Sequence, residues 1–106
     1  MKEIKAFIHR QCIGAVVEAV KLCGGTHNIN VASVQSLLPP LDPAEQRYSM
    51  DLAEPVIFEC KLELLCEDAQ APLLARVIAD AARTGQPEAG WITVASVDSA
   101  IQIGRP

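Results

Sequence analysis

The segment "PVIFECKLELLC", Pro55 to Cys66, restricts the possible folds more than any other stretch of the chain. Phe58, Cys60, Leu62, Leu64 and Cys66 fall on every second position, and Glu59, Lys61 and Glu63 fill the positions between them. A repeat of two is that of a β-strand, whose successive side chains point to opposite faces. One face of this strand therefore asks for a core, and the other carries charge.

The rest of the chain supplies elements to pair and cover it. Ile4, Ala6 and Ile8 alternate with Lys5 and Phe7, a half-buried strand. Ile13, Val16, Val17 and Val20 recur as one stripe of an amphipathic helix, and Gly24-Gly25 offer the left-handed exit that ends it. "NINVASVQS", Asn28 to Ser36, is rich in β-branched residues and reads as a strand. Leu74, Val77, Ile78 and Ala81 draw a second helical stripe, with Asp68 as its cap, Pro72 tolerated in its first turn and Gly85 at its end. "WITVASV" is a strand with Ile92 and Val94 on one face and Trp91, Thr93, Ala95 and Val97 on the other, and "AIQIG" adds a short edge strand.

The order strand, helix, strand, strand, helix, strand is the split βαβ arrangement. It predicts an α+β fold, a ferredoxin-like βαββαβ sandwich over residues 1–106 in a single domain, with two helices on one face of an antiparallel sheet. The uncovered face collects Phe7, Trp91, Ala95 and Val97 beside Glu59, Lys61 and Glu63. That surface is too apolar in part to stay in water, so a homo-oligomer that buries it is expected.

Between the second and third strands lies "LLPPLDPAEQRYSMDLAE", Leu37 to Glu54, whose three prolines oppose a regular element. A connection this long in a compact domain signals function or mobility. Asp42-Pro43 is positioned to start a short helical turn inside it.

Composition narrows the partners. A net charge of -4 gives no footprint for nucleic acid. Charges at Lys2, Glu3, Lys5 and Arg10 break up the amino-terminal stretch, and no later run approaches the roughly 20 residues of a membrane span, so a cytoplasmic protein without membrane insertion is expected. Cys12, Cys23, Cys60 and Cys66 form no C-x-x-C pair and read as reduced, mostly buried thiols.

Three stretches, "MKEIKAFIH", "CKLELLCED" and above all "ARTGQPEAGWITVASVDSAIQI", make nearly the whole chain resemble the PII-like signalling proteins. The last is similar to the carboxy-terminal signature of that family: Arg-Thr-Gly, a short glycine-bearing loop, then a strand. The resemblance implies a homotrimer of ferredoxin-like subunits whose inter-subunit clefts bind a small ligand. It also implies a long loop, here Leu37 to Glu54, that regulates a partner protein, a membrane transporter being one such partner. Arg83, Gly85, Gln86 and Gly90 are the residues expected at the cleft, with Ser36 and Leu65 lining it by analogy, and Gln46, Arg47 and Tyr48 those expected at the partner.

The family binds adenine nucleotide through a lysine and paired arginines. Here Trp91 stands at the lysine position and Gln102 and Gly104 at the arginine positions, which leaves Arg105 nearby. Turn amides alone do not offset the charge of a triphosphate. A less charged nucleotide, a small anion or no ligand is therefore expected in place of tight ATP binding. The loop also has no tyrosine at its centre, where nitrogen-sensing members are uridylylated.

Blander readings stand beside these. Gly85, Pro87 and Gly90 suit a helix exit and a tight turn without any ligand, and Trp91 is expected to anchor the subunit interface rather than to stack on a base. His9, His27 and the four cysteines include soft ligands, and a metal-binding or metal-tolerance protein of the same trimeric architecture is the alternative function. Their spacing is no metal motif: Cys60 and Cys66 would lie about 20 Å apart at 3.3 Å per residue. No nucleophile or acid-base constellation appears, so no catalytic residue and no enzymatic activity are expected.

Overall fold

The computed structural model describes residues 1–37, 47–86 and 89–104. Its elements run β1 (Lys2–His9), α1 (Ile13–Cys23), β2 (Thr26–Ser36), β3 (Arg47–Ser49), β4 (Glu54–Cys66), α2 (Ala71–Ala81) and β5 (Gly90–Ser96), with a 3-10 turn at Asp68–Gln70 before α2. The architecture is α+β, an antiparallel sheet with two helices, compatible with a ferredoxin-like fold. The long strands lie side by side in the order β2-β4-β1-β5.

The alternation in β4 becomes the core. Leu62, Leu64 and Cys66 are buried beside Ile4, Ala6 and Ile8 of β1, because the register sets Ile4 opposite Leu64 and Ala6 opposite Leu62. Val16 and Val20 of α1 and Leu74 and Ile78 of α2 close this layer from above. Both helices thus bury their stripes on the same face. Burial also pushes the Cys66 thiol up, so it stays protonated and packs as a small apolar group. All four cysteines are free.

The structure departs from the sequence reading at several edges. The stretch Leu37 to Glu54 is not wholly irregular: β3 pairs with the start of β4, Arg47 opposite Val56 and Ser49 opposite Glu54. Its prolines all precede this segment, so nothing prevents a hairpin, and Ala53 at φ 55 supplies the left-handed step that closes it. The order therefore carries a strand more than βαββαβ. The helical turn expected at Asp42-Pro43 lies outside the described residues.

Helix α2 ends at Ala81, capped by the Ala82 amide on the Ile78 carbonyl, so Gly85 at φ 85 shapes the loop beyond it rather than the helix end. Asp68 does not cap α2; the residue at that position is Gln70, without a side-chain cap bond. Asp68 instead lies 2.6 Å from the Met1 α-amino group, whose hydrogen bond and charge hold its carboxyl below the usual range. The exit of α1 follows expectation, with Gly24 and Gly25 at φ 68 and 70.

At the other end, β5 stops at Ser96 and the expected "AIQIG" strand does not form. A strand needs a partner for its amides and carbonyls. Residues 97–104 are anchored at their start by the Val97 amide on the Met1 carbonyl.

Candidate functional site

Two regions carry the residues singled out above: the end of the sheet where α2 runs into β5, and the uncovered sheet face. At the first, Arg83, Gly85 and Gln86 follow α2 in succession, and Gly90 opens β5 opposite Ile8. The Cys12 thiol, at the amino end of α1, lies 3.9 Å from the Arg83 carbonyl oxygen, which places this loop beside the β1-α1 turn. Arg83 Nη2 donates to Asp80 Oδ1 at 3.0 Å, and the Gln86 amide donates to Thr84 Oγ1 at 3.3 Å. An anion arriving here would compete with a carboxylate for the guanidinium and with a hydroxyl for the amide.

Gly90 has a structural reason that precedes any ligand. Its φ is 143, and a Cβ on it would run into the backbone carbonyl oxygen of Phe7. Glycine lets β5 start flush against β1.

Ser36 closes β2 opposite Ile57, and Gly90 sits at the level of Cys60 through Ile8. Those two lie near one end of the sheet but on its opposite margins, three strand spacings or about 14 Å apart across it and, from Cys60 to Ile57, about 10 Å along it. Leu65 lies toward the other end, opposite Glu3 and His27, roughly five strand residues or 17 Å along β4 from Cys60. One chain therefore gathers Arg83, Gly85, Gln86 and Gly90, and leaves Ser36 and Leu65 apart from them.

Of the residues expected at the partner, Arg47 and Tyr48 stand exposed on β3, and Gln46 lies outside the described residues. The hairpin they belong to projects past the end of β1, whose pairing with β4 stops at Glu59. Met50 and Leu52 at its turn are exposed as well, 84% and 46%. Sequence reading overlooked them, because two apolar residues in a short turn follow neither a strand nor a helix period.

The uncovered face is ordered by register into rows. Ala32, Lys61, Phe7 and Trp91 form one; Asn30, Glu63, Lys5 and Thr93 the next; His27, Leu65, Glu3 and Ala95 a third. Lys61 Nζ reaches Glu63 at 3.0 Å and Lys5 Nζ reaches Glu3 at 3.5 Å. The charges thus compensate along their own strands, worth up to about 1 kcal/mol per exposed pair, and the Phe7-Trp91 pair is left as an apolar island.

No family model and no curated protein matches the chain. Among the described residues, no group of three His, Cys, Asp or Glu side chains comes together to hold a metal ion. No described helix is long and apolar enough to cross a membrane. A shallow hollow of about 490 Å³ on the outer flank of α1, lined by Gly14, Val17, Glu18, Lys21 and Leu22, shares none of the residues expected at the cleft.

Proposed function

We propose that this chain is a small regulatory protein of the PII-like kind: a homotrimer of ferredoxin-like subunits that senses a small ligand between subunits and acts on a partner protein through its long loop. The observation that carries this reading is the uncovered sheet face with Trp91, 68% exposed, packed in register beside Phe7. A face of this kind is stable in water when copies of the chain bury it together.

The layout of the cleft residues supports the same reading. Arg83, Gly85, Gln86 and Gly90 lie at one end of a subunit, and Ser36 and Leu65 are too distant to join them within one chain. Residues of one cleft drawn from two subunits resolve that distance. The projecting hairpin, with Arg47, Tyr48, Met50 and Leu52 toward solvent, is the surface that meets the partner.

Calorimetric titration of the protein with ATP, ADP, AMP and a series of divalent metals tests the ligand part. Binding of a nucleotide less charged than ATP is expected, since Arg83 is the cation on the described part of this loop and is already shared with Asp80. Absence of heat from every adenine nucleotide, with a soft metal bound at one ion per subunit, would replace the signalling reading by a metal-binding one.

The loop should be dispensable for folding. The described core cluster draws on no residue between Ile29 and Leu62. Replacing residues 38–53 by a short Gly-Ser turn removes β3 and uncovers Val56, so it is expected to lower the unfolding free energy by about 1–3 kcal/mol in urea titration while unfolding stays cooperative. A loss of cooperative unfolding would show that the loop is part of the fold.

A further inference from the structure

We infer that residues 100–104 of one copy add as a strand to the free edge of β2 in a second copy. The inference rests on the homotrimer proposed above and names one of its contacts. It starts from a strand pattern without a strand. Ala100-Ile101-Gln102-Ile103 alternates apolar and polar residues, yet Ile101 is 87% and Ile103 99% exposed, and among the described residues no strand pairs with them. Alternation of this kind belongs to a sheet margin.

The sheet offers such a margin in an unusual state. Isolated sheets protect their edges with charged residues, lysine above all, and with proline. Here the edge strands β2, "THNINVASVQS", and β5, "GWITVAS", hold no Asp, Glu, Lys, Arg or Pro. The charges sit on the central strands instead: Lys2, Glu3 and Lys5 on β1, and Glu54, Glu59, Lys61 and Glu63 on β4. That distribution is the reverse of an edge kept away from other chains.

Length, charge and burial select β2 as the receiver. Beyond its irregularity between His27 and Asn30, β2 is regularly paired with β4 through Ser36, so its outer side presents an even row of amides and carbonyls. Residues 99–104 carry no charge, and neither does that row, so their meeting desolvates none. Val31 lies on the helix-covered face opposite Leu62, yet it is 46% exposed while Leu62 is fully buried. Ile101 and Ile103, two residues apart on one face of an added strand, close that open flank.

The contact is also the right size and kind. A stable interface takes about 800 Å² from each partner, roughly a ninth of the 7291 Å² of this chain's surface, which an arm can supply together with the uncovered face. Arm onto β2 is a heterologous contact, and such contacts close into a ring when each copy gives its arm to the next.

The test uses the full chain, a form ending at Ser99, and the Ile101→Asp, Ile103→Asp double variant, each followed by sedimentation velocity and by amide hydrogen exchange. In the full chain the outward β2 amides are expected to exchange about a hundredfold more slowly than free edge amides, and to lose that protection in both variants. Loss of protection with the trimer kept still supports the arm, with the sheet face as the remaining contact. Trimers whose β2 amides are unprotected in the full chain, or equally protected in all three forms, overturn the arm and leave the trimer standing. A full chain that sediments as a monomer overturns both.

Discussion

Gly90→Ala is expected to lower the unfolding free energy by about 3 kcal/mol or more, whereas Gly85→Ala lowers it by about 1 kcal/mol. Both glycines hold positive φ, 143 and 85, so an L-residue is strained at either. They differ in what a side chain would meet. Nothing lies within 4 Å of a Cβ on Gly85, while a Cβ on Gly90 runs into the Phe7 carbonyl oxygen. That oxygen belongs to the backbone of β1, which is held by β4 on its other side and packs Ala6 and Ile8 into the core to either side of Phe7. Relief would have to come from β5 moving away, with loss of its pairing to β1.

Urea unfolding of the two variants measures the difference, and a Gly90→Ala protein as stable as the parent would show that β5 has room the structure denies it. The pair also separates two roles that the sequence cannot tell apart. Gly85→Ala should remain folded, so any loss of nucleotide or anion binding in that variant reports on the cleft rather than on the sheet.

What could be read in advance follows from where the physics is local. The faces of β1 and of the second half of β4 were legible because buried and less buried residues alternate along them, and Leu62, Leu64 and Cys66 went where the alternation put them, while on β5 only Ile92 is drawn inward. The exit of α1 was legible because the chain turns through positive φ at Gly24 and Gly25. Strand β3 was not, since three residues have no period, and what forms them is pairing with Glu54 to Val56 across a turn at Ala53. The end of α2 was misplaced to Gly85 because a glycine after a helical stripe is the usual stop; Ala82 ends it with ordinary dihedrals three residues earlier.

The cleft was less legible than the fold for a related reason. Arg83, Gly85, Gln86 and Gly90 are close in sequence and stay close in space. Ser36 and Leu65 entered by analogy, and their separation depends on strand register, which no local pattern encodes. The "AIQIG" stretch shows the same limit from the other side: the pattern of a strand is present, and whether a strand forms depends on a partner that no local pattern encodes.

Phe7→Asp and Trp91→Asp are each expected to dissociate the proposed trimer, weakening association at least a thousandfold, about 4 kcal/mol, while leaving the subunit folded. Both side chains lie on the uncovered face, and Trp91 is 68% exposed in the single chain, so neither fills the core. In the free subunit an aspartate at position 7 is solvated and sits opposite Lys61. In the assembled trimer the same carboxylate would be shut between apolar faces, and its desolvation opposes association.

Trp91 is the chain's single tryptophan, so its emission reports on the face directly. The parent protein should shift to longer emission wavelength on dilution as the trimer comes apart and the indole meets water, in step with sedimentation. The Phe7→Asp protein should show the long-wavelength emission at every concentration. Emission from the parent that stays long and independent of concentration would mean that the face is wet in solution, and with it the shared clefts would lose the interface that forms them.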